Sequence, residues 1–396
     1  MLSTKAQSIS PSPTMAIDAQ AKLMKSQGID VIGFGAGEPD FDTPEHIKEA
    51  AMDAVRQGFT KYTPVAGALD LQKAICEKLK NDNGLTYEPT QIVVSNGAKH
   101  SLTNVFAALL DPGDEVIIPA PFWVSYSEIV KLNDGIPVIV PTREKNNFKV
   151  TVAELGAALT PKTKALLINS PNNPTGQVYT REELQAIADF AVANQLFVIS
   201  DEIYEKLIYG DYEHVSIASL GDDIKDLTIV VNGVSKTYSM TGWRIGYTAS
   251  RLDIAKIMGS VQSHATSNAN SIAQKAAIAA MQGPQDCVDT MKAAFAERRD
   301  YMVKKIASIP GLSCIEPVGA FYVFMKADSI FGRSYGNHVI DSSDSFATLL
   351  LEHAKVAVVP GTGFGAPEYV RLSYALALDE IKTGLERIEA FMNELK

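Results

Sequence analysis

The stretch TREELQAIADFAVANQLFVISDEIY, from Thr180 to Tyr204, carries a helix pattern and then a strand pattern. Thr180 is placed to cap the helix, and Glu183, three residues on, closes a capping box. LFVIS, from Leu196, is β-branched and almost continuously apolar, the character of a strand buried on both faces. A helix feeding a buried strand is the repeat unit of a parallel sheet. Six further runs of this kind begin at Gln91 (QIVVS), Glu115 (EVIIP), Ile136 (IPVIV), Ala165 (ALLIN), Leu227 (LTIVVN) and Arg244 (RIGYTA), with helix patterns between them. The fold class is therefore α/β, with a mostly parallel seven-stranded sheet flanked by helices.

Outside that region the pattern changes. LSCIEP, GAFYVFM, VAVVPG and YVRLSYA read as strands of a smaller α+β unit, and a helix from about Asp379 ends the chain. The first 45 or so residues, with SPSPT and GAGEPDFDTP, are full of turn formers and read as irregular. This divides the chain into a large domain at 46–290 and a small domain built from 291–396, with 1–45 packed on it.

Composition narrows the function. The 396 residues are 46% hydrophobic and 21% charged, which suits a globular chain with a large core. A net charge of −10 argues against nucleic acid or an anionic membrane as partner. Cys76, Cys287 and Cys314 are far apart, odd in number and without metal spacing, which points to a reducing, cytoplasmic setting. The six histidines form no HxxxH or HxH pair, so no metal is expected. No signal peptide pattern is present, and no apolar run approaches the roughly 20 residues that span a bilayer.

In an open parallel sheet, ligands bind beyond the carboxyl ends of the strands. After QIVVS, NGAKHSL turns at Asn96 and Gly97 and starts a helix, which serves as a plain turn or as a cradle for a phosphate. After EVIIP, Trp123 in APFWVSY is either core filling or a flat plate for a ring-shaped ligand. After ALLIN, SPNNPTG is a turn in which Asn173, before Pro174, is a candidate for a cis bond and offers an amide. After LFVIS, Asp201 is either a helix N-cap or a buried counter-ion for a cationic ring nitrogen, and Tyr204 follows one turn later. After LTIVVN, GVSKTYSMTGWR sets Lys236 between apolar strands, where burial lowers its pKa and favours a Schiff base with a carbonyl. Arg244 is suited to a two-pronged grip on phosphate or carboxylate. One ligand uses all five loops: an aromatic aldehyde with a pyridine nitrogen, a phenolic oxygen and a phosphate, which is pyridoxal phosphate.

GAGEPDFDTP, KYTPVAG, SNGAKHSL, PNNPTG, SDEIY, SKTYSMTGWRIGY and YVRLSYA occur in this order. With them the chain resembles the fold-type I, class I pyridoxal-phosphate aminotransferases over essentially its whole length, nearest the bacterial aspartate aminotransferase subgroup. The resemblance implies Lys236 as the Schiff-base lysine and proton shuttle, and Asp201 as the partner of the ring nitrogen. It implies Tyr204 and Asn173 on the phenolic oxygen, Trp123 stacked on the ring, and Gly97, Ala98 and Lys99 as the phosphate-side turn. Arg244 and Ser235 would hold the phosphate, and Arg371 would bind the substrate α-carboxylate beside Gly37. Tyr62 would reach the phosphate of a neighbouring subunit, so the active sites require a homodimer, and SHATSNANS (Ser263 to Ser271) would approach the partner's site.

The expected chemistry is a ping-pong exchange of an amino group between an amino acid, aspartate first, and 2-oxoglutarate. In the subgroup resembled, Lys99 would take the distal carboxylate, with Ser12 and Thr14 closing over the side chain. Lys99 as a phosphate neighbour or helix-start lysine stays open. So do aromatic amino acids, prephenate and alanine as substrates, and C–S β-lyase chemistry on the same scaffold. A ligand-binding regulator would need a DNA-binding segment, whereas this acidic chain starts almost directly with the N-terminal arm. GFGAG, from Gly33, hints at a dinucleotide fingerprint, but Glu38 stands where the third glycine belongs.

Overall fold

In the computed structural model, which describes residues 2–11 and 13–396, the seven apolar runs form one sheet. Its strands are β1 (Ile92–Ser95), β2 (Glu115–Ala120), β3 (Ile136–Pro141), β4 (Thr163–Asn169), β5 (Phe197–Asp201), β6 (Thr228–Gly233) and β7 (Gly246–Ala249). They lie in the order β1-β7-β6-β5-β4-β2-β3. β7 runs antiparallel to both neighbours, and every other pair is parallel. β7 starts two residues later than the apolar pattern indicates, because Arg244 takes the left-handed conformation at φ 58°.

The helix capped by Thr180 runs Arg181–Ala193 with the expected capping box. Gln195, at φ 52°, then turns the chain back into β5. Leu184, Ile187 and Ala188 of this helix pack on Leu166, Ile168 and Val198. On the other face, Leu102, Phe106 and Met258 pack on Ile118, Leu167 and Ile199. Alternate residues of β4 and β5 thus feed two cores, which is why both strands are apolar throughout. β3 departs from that rule. It is the sheet edge, with Ile136 and Ile139 44% and 38% exposed, and Pro137 and Pro141 within it suit an edge position.

The tail builds a four-stranded antiparallel sheet in the order Val359–Pro360, Tyr369–Ser373, Tyr322–Lys326, Ser313–Cys314. VAVVPG is not one strand. Val356–Ala357 pairs in parallel with Ile32–Gly33, and Val359–Pro360 turns into the other sheet. Helix Leu378–Asn393 follows, and helix Asp286–Ala307 runs unbroken across position 290. The N-terminal segment is not wholly irregular, since Pro13–Ser26 is a helix. Ile17, Ala21 and Met24 recur at helical spacing and pack with Val31, Leu351 and Ala357. That signal lies behind a proline-rich start, yet proline is favoured in a first helical turn. Among the described residues no helix is long and apolar enough to cross a membrane.

Candidate active site

The carboxyl ends of β4, β5 and β6 open onto a cavity of about 260 Å³. β5 ends in Asp201, which is 3% exposed. No helix follows it, so the N-cap reading is wrong. The chain turns instead, and the Ile203 N–H donates to Asp201 Oδ1 at 3.2 Å. Asp201 Oδ2 accepts the Tyr126 hydroxyl at 2.7 Å. Loss of water pushes the Asp201 pKa up to about 6, while those two hydrogen bonds pull it down. Lys236, in the loop after β6, donates from Nζ to the Gly37 carbonyl at 2.6 Å. Desolvation pushes its pKa down to about 8, opposed by Glu38 and reinforced by Arg244 and Arg371.

One wall of the cavity is built around Arg371, 1% exposed in the strand Tyr369–Ser373. Its Nη1 donates to Asn173 Oδ1 at 3.0 Å and its Nη2 to the Gly35 carbonyl at 2.8 Å. The guanidinium lies 4.3 Å from the centre of the Tyr322 ring. Its Nε has no partner among the described residues, and burial pushes its pKa down. A buried cation without a counter-ion is costly, so this wall is poised for an anion. Asn173 precedes a cis peptide bond to Pro174, and its own N–H donates to Asn169 Oδ1 at 2.8 Å.

The opposite wall begins at Gly97, whose φ of 84° leads into helix Ala98–Leu109. A Cβ on Gly97 would strike the Arg244 guanidinium, and one on Gly246 would strike the backbone of Ala98. Two glycines therefore let strand, helix start and arginine close on one another. The first-turn N–H groups of that helix have no partner within it. Arg244 itself is exposed and donates to the Thr241 and Asn96 carbonyls at 2.8 and 3.3 Å. The Lys99 ammonium sits 4.8 Å from the centre of the Trp123 ring. Desolvation, then the Arg244 charge, push its pKa down. Trp123 meets Tyr126 edge-on at 5.3 Å and lines the cavity, so it is a wall as well as core filling.

Residues 29–388 match the family described as aminotransferase class I and II. This chain belongs to that family. It is 52% identical to an aspartate aminotransferase of Geobacillus stearothermophilus over 391 residues, covering 99% of this chain and 98% of that one. It is 47% identical to a probable aspartate/prephenate aminotransferase of Aquifex aeolicus, over 100% of this chain and 99% of that one. Among solved structures, the aspartate aminotransferase from Rhizobium meliloti superposes with a TM-score of 0.97 at 43% identity, with complete coverage of both chains. That from Thermus thermophilus with maleate gives 0.94 at 42% identity, covering 99% of each.

This aminotransferase uses pyridoxal phosphate, and the residues present fit that group. The cavity offers an amine of lowered pKa, an enclosed carboxylate, an aromatic wall and an arginine beside a helix start. Thr14, Gly37, Ala98, Lys99, Trp123, Asn173, Asp201, Tyr204, Ser235, Lys236, Arg244 and Arg371 all line it. Gly97 stands behind Arg244. Tyr62 is 90% exposed and lies outside it. Ser12 falls outside the described residues. The GFGAG lookalike passes through the short strand Ile32–Gly33, and the next helix starts only at Glu45.

Sequence reasoning missed Tyr126, Asn169 and Tyr322, which line the same cavity. Tyr126 had a signal, since it stands three residues beyond Trp123. Tyr322 had none, because its neighbours are set by strand register. Glu202, Glu205 and His214 also come together, with ligand atoms within 4.8 Å of one another. Those carboxylates already accept from Ser200, Ser216, Lys78 and Asn83.

Proposed function

We propose that this aminotransferase passes the amino group of L-aspartate to 2-oxoglutarate by a ping-pong exchange. The observation that carries the reading is the charge of the cavity. Lys99, Lys236, Arg244 and Arg371 line it against the single carboxylate of Asp201. A dicarboxylic amino acid beside a cofactor phosphate brings three anionic groups to those bases. Arg371 takes the α-carboxylate beside Gly37. Arg244, Ser235 and the turn Gly97–Ala98–Lys99 would hold the phosphate. Lys99 then reaches the distal carboxylate, with the Thr14 hydroxyl, which is buried and unpartnered among the described residues. The relatives called aspartate aminotransferases, and the Thermus structure with the dicarboxylate maleate, support this assignment.

Pyridoxal phosphate, when bound, supplies the sink for the electron pair left as the Cα–H bond breaks. Lys236 moves the proton. With its pKa pushed down to about 8, its Nζ would take the proton from Cα and return it at C4′. Arg371 fixes the substrate so that this bond faces Lys236. Asp201 would keep the ring nitrogen protonated, Tyr204 and Asn173 would hydrogen-bond the phenolic oxygen, and Trp123 would stack on the ring. The exposed Tyr62 completes the phosphate site of a second copy, with Ser263–Ser271 beside it. The working form is then a homodimer, placed in the cytoplasm. Its cavity draws on both the 46–290 domain and the domain of 1–45 with 291–396.

The test is to add L-aspartate alone to the holoenzyme. One oxaloacetate per subunit, with loss of the visible absorption, is the expected result. No oxaloacetate, but a keto acid from an aromatic donor or from alanine, would move the substrate assignment. Pyruvate and ammonia from a C–S amino acid would instead indicate a β-lyase. The relative from Aquifex aeolicus gives prephenate a claim as a second acceptor.

A further inference from the structure

We propose that Tyr322 is a positioning residue that ties the Arg371 guanidinium to the Tyr204 phenol. This rests on the carboxylate and cofactor assignments above and deepens them. In the antiparallel pair, Phe324 stands opposite Arg371, and Tyr322 lies two residues back on the same face. Its ring is the seat of the guanidinium, 4.3 Å away. Its hydroxyl lies 2.9 Å from the Tyr204 hydroxyl. Both side chains are almost fully buried, at 1% and 3% exposure, and among the described residues each phenol has the other as its hydrogen-bond partner. A Cβ on Gly37 would come within 3.2 Å of the Tyr322 hydroxyl, so glycine keeps that space open on the cavity side.

One side chain therefore touches both the group that grips the carboxylate and a group that tunes the cofactor. Burial pushes the Tyr322 phenol pKa up, and the Arg371 charge opposes that rise. When a carboxylate neutralises Arg371, that opposition declines, and the strength of the Tyr322–Tyr204 hydrogen bond changes with it. The bond Tyr204 offers the cofactor then changes as the substrate arrives. Asn173, on Arg371 Nη1, is a separate contact and does not involve either phenol. The charged and titratable groups facing this pair are Arg371, Asp201, Tyr126 and Lys236.

The experiment titrates the visible absorption of the holoenzyme with pH, with and without maleate. It compares the unaltered protein, Tyr322→Phe, Tyr204→Phe and the double variant. Tyr322→Phe is expected to move the midpoint by about half a pH unit and to shrink the response to maleate. In the Tyr204→Phe background it should move nothing. The Kd for maleate should stay within about twofold in Tyr322→Phe, which keeps the ring, and rise about tenfold in Tyr322→Leu, which loses it. An unmoved midpoint, or equal shifts in both backgrounds, would overturn the proposal. Unchanged maleate binding in Arg371→Lys would instead sink the carboxylate assignment on which it rests.

Discussion

Arg371 and Arg244 face one cavity with the same side chain in opposite states. Arg371 is 1% exposed, in mid-strand, with two nitrogens and the flat face of its guanidinium engaged. Arg244 is exposed, on a left-handed turn, and holds only backbone carbonyls. Among the described residues, neither is ion-paired with an acid of the cavity wall. The first is a rigid fork whose geometry selects its partner, and the second a charge that follows a ligand held mainly by backbone. The difference teaches that affinity and orientation are divided between the walls. With Arg244 on the cofactor and Arg371 on the substrate, as proposed, the first wall should tolerate adjustment and the second should not.

The most severe test removes the lysine between them. Lys236→Ala should lower turnover by at least about 10⁴-fold while both arginines still hold cofactor and carboxylate. Retained turnover would end the role given to Lys236. Next, Arg371→Lys should cost about a hundredfold in kcat/KM, because the charge survives but the fork does not. Arg244→Lys should raise the cofactor Kd less than tenfold by the same reasoning. Equal costs would erase the contrast. Gly97→Ala sets a side chain at φ 84° and drives it into Arg244, so the cofactor Kd should rise about tenfold with no change in selectivity. Lys99→Ala should weaken aspartate about tenfold and alanine less than twofold, and parallel losses would return Lys99 to the phosphate. The smallest effect is in pH. The folded-state pKa of Lys236 is lowered to about 8. Its free amine therefore grows as pH rises through that value, and capture of pyridoxal phosphate by the apoprotein should quicken severalfold between pH 7 and 8.5, then level off.

Legibility in the sequence followed the range of the forces involved. The helix Arg181–Ala193 was readable because its capping box and its spacing are local. The seven sheet strands were readable because burial on both faces forces apolar runs. β3 shows the limit, since an edge strand with an apolar sequence reads like a central one until its missing neighbour is seen. The helix Pro13–Ser26 was hidden by prolines that read as breakers but sit at a helix start. VAVVPG reads as one strand because pairing partners from distant segments, Ile32–Gly33 and Tyr369–Ser373, leave no trace in six residues.

The sequence by itself determined which side chains reach the cavity. Polar residues placed directly after buried strands have one place to go, the carboxyl edge of the sheet, and Asp201, Lys236 and Asn173 stand there. What only the tertiary structure decided is how those groups are set. Tyr126 reaches Asp201 across 75 residues of chain, and Tyr322 reaches Tyr204 across 118. Desolvation that moves Lys236 to about 8 and Asp201 to about 6 belongs to the closed cavity, not to any segment. Residue type is a local property, whereas burial, register and field are sums over neighbours that sequence separation conceals.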